Sequence, residues 1–346
     1  KHGLKTEIRL TPNDLREFDR PPKMRTSTYL EPMFELFEGG ALAGGDLLSI
    51  ETTGGKEISD DALMMCDIKQ FIFSQAVLGV RDMGFIWEKI VAIAKKTGTT
   101  PGGDTACAFG NTAMVLAEKR YIPKIFAAVA RLATIVRSLV AVEQGAKGPD
   151  KDCGYEGPFI KAITGIPTSM EGKSSACAHS SPLGNVAGAC ADLWSNESVQ
   201  NVKLLAGMAP TIYLEQLEYD VRLMNAALNE SKEDALKLQS WMVNSDIRFD
   251  PQAYILAPEN VIEISKVIVQ SDNHVEATRA ACLKGLEILT QAHKDKKLLI
   301  DDMEISWLET IRQGVESIPT NEEDFVAEML PLIDVSKLDL AGYGIG

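Results

Sequence analysis

Glu51, Cys107 and Cys153 are the residues of this chain best suited to chemistry. Each stands where a segment that reads as a buried strand gives way to a loop: Asp46-Leu-Leu-Ser-Ile-Glu51, Gly103-Asp-Thr-Ala-Cys107 and Gly148-Pro-Asp-Lys-Asp-Cys153. Two thiolates and a carboxylate make a three-ligand set for zinc, with a fourth position left for a substrate. In a β/α barrel the three side chains would gather at one end of the strands, where barrel enzymes keep their active sites. Spacing alone does not establish such a site, because the residues lie dozens of positions apart and no Cys-x-x-Cys pair is present.

The elements that must position them follow from composition and periodicity. With 346 residues and 45% hydrophobic content, one large domain with an appendage is expected rather than three small ones. A formal net charge of −14 argues against nucleic acid and against an anionic membrane surface as partners. Charge interrupts the apolar runs before membrane-spanning length, so no membrane is expected. The six cysteines (66, 107, 153, 177, 190 and 282) are irregularly spaced and do not read as a disulfide framework. A reducing cytoplasm is the expected location.

Strand and helix signals alternate. Strands are expected at Leu4–Arg9, Leu47–Glu51, Phe71–Phe73, Thr99–Asp104, Ser138–Val142, Thr168–Glu171 and Val202–Leu205. A helix is expected over about 28–42, and Ser59-Asp60-Asp61 reads as the cap of another. Met83, Trp87, Ile90 and Ala94 mark one helix face, and helical signals flank Pro123 over about 111–134. Further helices are expected at Phe159–Ile163 and 184–193, and after Pro210 the pattern is helical throughout. The alternation predicts an α/β fold, a TIM-type (β/α)8 barrel over 1–210, followed by a helical C-terminal region over 211–346 that packs on or closes it. Seven strands are one short of closure, and the chain opens at Lys1-His-Gly3 like a helix end, so the first strand is expected upstream of residue 1. No Gly-x-Gly-x-x-Gly or Walker A sequence supports the alternative, an open doubly wound sheet.

Five phrases are more specific than any spacing: Gly45-Asp-Leu-Leu-Ser-Ile-Glu51-Thr-Thr-Gly-Gly-Lys-Glu57, Gly103-Asp-Thr-Ala-Cys107-Ala-Phe-Gly-Asn-Thr-Ala-Met114, Gly148-Pro-Asp-Lys-Asp-Cys153-Gly-Tyr-Glu156, Met170-Glu-Gly-Lys-Ser-Ser-Ala-Cys177-Ala-His-Ser180 and Trp194-Ser-Asn-Glu-Ser198. In this order they resemble the zinc-dependent methanol:corrinoid methyltransferase family, the methanol-activating B subunit. The resemblance runs through essentially the whole chain and is strongest over 45–198. It implies a β/α barrel in which Glu51, Cys107 and Cys153 hold zinc. It also implies a corrinoid-binding partner subunit that supplies the Co(I) nucleophile, and a homodimer within a hetero-oligomer. Three departures accompany it: the missing first strand, a shorter stretch around Glu118–Lys124, and Gln144 where the family leads one to expect a Cys.

The chemistry implied is demanding, because hydroxide is a poor leaving group and three anionic ligands temper a zinc ion's acidity. Asp104 and Glu171, near strand ends, are candidates for a proton donor or for a partner of the ligands. Cys66, Cys190 and Cys282 read as small core residues. Cys177 with His179 forms a second cluster that stays open between a structural and a chemical role. Lys56 and Lys173 would serve a barrel lyase working through a Schiff base, but each follows a glycine and reads more simply as a loop lysine paired with Glu57 or Glu171. A non-catalytic subunit that only docks a corrinoid protein is a further alternative, against which the intact Glu51, Cys107 and Cys153 speak.

Overall fold

The computed structural model describes residues 6–171, 181–195 and 210–345. Three short parallel strands, β1 (Arg9–Leu10), β2 (Leu47–Ile50) and β3 (Thr100–Asp104), lie side by side in chain order. Two more, β4 (Ser169–Glu171) and β5 (Leu193–Ser195), pair in parallel. The extended stretch 147–152 bridges the two groups. Lys147 N donates to Pro101 O and Gly148 N to Gly102 O, both at 2.8 Å, while Glu171 N donates to Asp152 O at 3.2 Å. Backbone hydrogen bonds thus run from β1 to β5 in chain order.

Helices separate the strands, as parallel pairing requires. Helix α1 (Leu30–Leu42) joins β1 to β2. Helices α2 (Lys56–Met65), α3 (Ile68–Phe73) and α4 (Val80–Thr97) join β2 to β3, with a π-helical turn at Ser74–Gly79 linking α3 to α4. Helices α5 (Thr112–Glu118) and α6 (Lys124–Glu143) lead to the stretch 147–152, α7 (Gly157–Thr164) to β4, and α8 (Pro182–Cys190) to β5. The C-terminal part is helical: α9 (Pro210–Glu230), α10 (Lys232–Asp246), α11 (Pro251–Ile255), α12 (Pro258–Val269), α13 (His274–Lys294), α14 (Ile305–Glu316) and α15 (Glu322–Met329).

One apolar cluster joins α1, β2 and α4, with Met33, Phe37, Leu48, Ile50, Trp87 and Ile90 buried together. The larger cluster surrounds α6, whose residues from Ile125 to Ala141 are all buried. Helix α13 packs along it, and Gly285 makes room for Leu132: a Cβ there would lie 2.0 Å from Leu132 Cδ1. Among the described residues α6 alone is long and apolar enough to cross a membrane, contrary to the expectation that charge interrupts every such run; here it is the core of the fold.

Several sequence expectations need correction. Phe71–Phe73 lies in α3 and Ser138–Val142 in α6, so neither is a strand. Both are short apolar runs buried on every side, where the periods of helix and strand cannot be told apart. Helix α2 begins at Lys56 after left-handed Gly55 (φ 82°), which puts Ser59 inside the helix rather than at its cap. The strand at Leu193–Ser195 was not expected, and Val202–Leu205 lies outside the described residues.

Candidate metal centre

Glu51, Cys107 and Cys153 do converge, with their ligand-capable atoms all within 4.8 Å of one another. Both cysteines are buried, and the Glu51 side chain is 34% exposed, so the cluster opens to solvent on the carboxylate side. The two sulfurs are in direct contact as a cystine pair, with Cα atoms 6.3 Å apart. Cys153 Sγ lies 2.9 Å from Glu51 Oε1. A disulfide sulfur has no proton to donate, so its lone pairs would repel a carboxylate oxygen this close. Three electron-rich atoms so placed call for a proton or a cation among them, and this donor set suits zinc.

Each member is held by a different device. Glu51 follows β2, and the next residues are tied down from below. Thr53 N and Oγ1 each donate to Asp14 Oδ2 at 3.0 Å. Asp14 pairs with Arg16 at 2.6 Å, and Arg16 pairs with Asp82 at 2.6 Å, all three side chains being essentially inaccessible. Burial alone would raise the Asp14 carboxyl's proton affinity, but Arg16 and Thr53 outweigh it and hold the group below its usual range. The Gly54-Gly55 pair forms a tight turn packed on this network: a Cβ on Gly54 would meet Asp82 Cβ at 2.4 Å, and one on Gly55 the Ser74 carbonyl oxygen at 2.5 Å.

Cys107 opens a π-helical turn, Cys107–Asn111, between β3 and α5. Such turns are often found at functional sites. Thr105 Oγ1 is 3.2 Å from Cys107 Sγ. Glu156 Oε1 accepts from Ala106 N and, at 2.9 Å, from Ser138 Oγ. Arg131 donates to Gly110 O at 2.9 Å and Asn111 Oδ1 at 3.1 Å, and Asn111 Nδ2 passes the restraint to Cys153 O at 3.0 Å. Arg137 does the same for the Glu51 loop, donating to Thr52 O and Thr52 Oγ1 at 2.8 Å. The two buried arginines of α6 thus clamp all three loops. Sequence reasoning missed them; the available signal was a pair of guanidinium groups six residues apart in an otherwise apolar run.

Lys151 was also missed. Its Nζ is buried, 2.8 Å from Asp152 Oδ1, 3.4 Å from Cys153 Sγ and 3.5 Å from Glu51 Oε1. Asp104 stands behind the Glu51 loop, where its Oδ2 accepts from Thr52 Oγ1 at 2.8 Å, Thr52 N at 3.3 Å and Trp87 Nε1 at 3.4 Å. Burial pushes its carboxyl up to about 7 against the pull of Arg137, Thr52 and Trp87, with Glu51 adding to the rise. Glu171 is buried at the end of β4, its backbone tied to Asp152. Lys56 pairs with Asp60 one turn along α2 rather than with Glu57. Lys173, Cys177 and His179 lie outside the described residues. Cys66 and Cys190 are half-buried and Cys282 fully buried, away from the cluster. Gln144 is exposed just beyond the end of α6.

Residues 1–344 match the family model described as methanol-cobalamin methyltransferase B subunit. A methanol–corrinoid protein co-methyltransferase of Methanosarcina barkeri (strain Fusaro / DSM 804) is 40% identical over 334 residues, covering 95% of this chain and 72% of that protein. The crystal structure of the methanol:cobalamin methyltransferase complex MtaBC from Methanosarcina barkeri contains a chain that superposes with a TM-score of 0.92 at 39% identity, covering 100% of this chain and 76% of that one.

Proposed function

We infer that this chain, which belongs to the methanol-cobalamin methyltransferase B subunit family, transfers the methyl group of methanol to the cobalt of a corrinoid protein. What supports this is the family match over nearly the whole chain together with the convergence of Glu51, Cys107 and Cys153. In the balanced reaction the C–O bond of methanol breaks, its electron pair leaves with oxygen, and the carbon takes a new pair from Co(I). A proton from solvent completes the water. The corrinoid comes with the partner protein.

Glu51, Cys107 and Cys153 would hold zinc. When bound there, zinc supplies Lewis acidity to the methanol oxygen. The chain's own residues do the rest. Arg131, Arg137, Glu156 and Asn111 fix the three loops so that the donor atoms face one another before any metal arrives. The half-exposed Glu51 leaves the cluster accessible from one side. Asp104 restrains Thr52 and serves as a partner of the ligand loop rather than reaching the substrate itself.

The architecture proposed around this centre is the (β/α)8 barrel over 1–210 with the helical region 211–346 packed on it. Parallel strands in chain order support it. So does Arg9, whose NH2 group on β1 reaches Ser169 Oγ on β4 at 2.7 Å, as side chains do across a barrel interior. The working assembly would be a homodimer of this chain joined to corrinoid-binding subunits in the cytoplasm.

Metal analysis with thiol counting tests the centre. About one zinc per chain is expected, and Cys107→Ser or Cys153→Ser should each strip the metal and abolish methylcobalt formation from methanol and a reduced corrinoid protein. A second reading, favoured by the contact of the two sulfurs, is a structural disulfide. Metal-free protein with two fewer titratable thiols than sequence would establish it and end the zinc assignment.

A further inference from the structure

We propose that Lys151 is the counter-charge of the Glu51–Cys107–Cys153 centre, a positioning residue that offsets one of the three ligand charges. The idea rests on the ligand reading of those three residues. The Lys151 side chain is 3% exposed, and its Nζ touches two of the three ligand groups at once, Cys153 Sγ at 3.4 Å and Glu51 Oε1 at 3.5 Å. A lysine ammonium is rarely taken out of water without anionic partners nearby. Asp152 Oδ1, at 2.8 Å, is one such partner, but Asp152 Oδ2 is also 3.4 Å from Arg9 NH1, so its charge is shared. The ammonium lies within reach of the ligand set as well as of its sequence neighbour.

The consequence is electrostatic. A dication with two thiolates and one carboxylate carries a net charge of −1, and a fixed ammonium at hydrogen-bond distance brings the group to neutrality. Breaking the C–O bond of methanol builds negative charge on oxygen beside that group, and preorganised positive charge is most effective where charge develops. An ammonium on a ligand sulfur also lowers that sulfur's tendency to donate electrons, leaving the metal a stronger acid. A lysine that merely paired with Asp152 would do neither.

Substituting Co2+ for zinc gives a readout besides turnover, since thiolate-to-cobalt charge transfer reports directly on the ligand sulfurs. Lys151→Gln is expected to take up about one Co2+ per chain with the charge-transfer band moved to longer wavelength, because an unshielded thiolate releases an electron more readily. Its zinc form should lose roughly tenfold or more in kcat with little change in the KM for methanol. Lys151→Arg, which keeps the charge, should restore both the band and most of the rate. An unmoved band, or a kcat close to that of the unsubstituted protein, overturns the proposal. Lys151→Gln that takes up no Co2+, or failure of both it and Lys151→Met to fold, would assign the residue to the framework and overturn it too. If the unsubstituted protein shows no thiolate-to-cobalt band, the ligand assignment itself fails, and the counter-charge falls with it.

Discussion

A single methyl group at position 154 should pry the two cysteine loops apart. Gly154 follows Cys153, and Thr105 lies two residues before Cys107. A Cβ on Gly154 would stand 2.2 Å from both Cβ and Cγ2 of Thr105 and 2.9 Å from its Oγ1. Non-bonded carbons settle at about 3.5–4.0 Å, so Gly154→Ala must open the seam by roughly 1.3–1.8 Å. Thr105 cannot swing clear, because one of the clashing atoms is its own Cβ. Metal–ligand distances tolerate only about 0.2 Å, so strain relaxed by parting the loops returns in full when both sulfurs are asked to ligate. Overpacking of this kind costs about 1–3 kcal/mol, which raises the zinc dissociation constant roughly 5- to 150-fold. Competitive titration against a chromophoric chelator measures it. Gly84→Ala is the control: it sits within α4 with no atom within 4 Å of the new Cβ, and should stabilise the fold slightly with zinc affinity unchanged. Wild-type zinc affinity in Gly154→Ala would refute joint ligation by Cys107 and Cys153 across this seam.

Two other outcomes are open to measurement. Asp104 keeps its proton in the fold up to about pH 7, well above its ordinary value of 3.8, so its contribution to stability is present in acid and lost as pH rises through about 7. Asp104→Asn should remove that decline, at most about 4 kcal/mol over the window, in urea unfolding of metal-free protein; an unchanged pH slope would contradict the burial argument. Cys282→Ser on α13 should leave zinc content intact while costing about 1–3 kcal/mol for a buried hydroxyl, since the thiol is fully buried with its Sγ 3.8 Å from Val129 O; loss of zinc would show that the centre extends further than the three ligands.

Amphipathic elements were legible because one face of each meets water. Met83, Trp87, Ile90 and Ala94 are all buried on α4 while Glu88, Lys89, Lys95 and Lys96 are exposed; Leu47–Ile50, buried throughout, reads as a strand from its short apolar run instead. The errors at Phe71–Phe73 and Ser138–Val142 come from segments without a wet face, where hydrophobicity loses its period and tertiary packing alone decides the backbone. Helix α6 is the extreme case. Its Ser138-Leu-Val-Ala-Val142 looks like strand by side-chain type, yet it completes a helix that α13 covers on one side and the site loops on another.

The same burial explains which half of the centre could be read. Glu51, Cys107 and Cys153 could be read because the phrases around them resemble a family whose matching residues hold zinc; their types and spacing alone do not single them out. The residues that hold them, Arg131, Arg137, Glu156 and Asp14, are separated from the loop residues they bind by anything from 20 to 85 residues. No local pattern links a helical arginine to the carbonyl of a distant loop. What the sequence does carry is a cost: a guanidinium within an apolar run must find acceptors or destabilise the fold. Arg131 and Arg137 find theirs in the loops beside Glu51, Cys107 and Cys153, so the most expensive residues of the core mark the parts of the chain that have to stay still. An unexplained charge inside a long apolar helix is therefore a pointer to a site elsewhere, and here it would have led from α6 to Thr52, Asn111 and, through them, to Glu51 and Cys153.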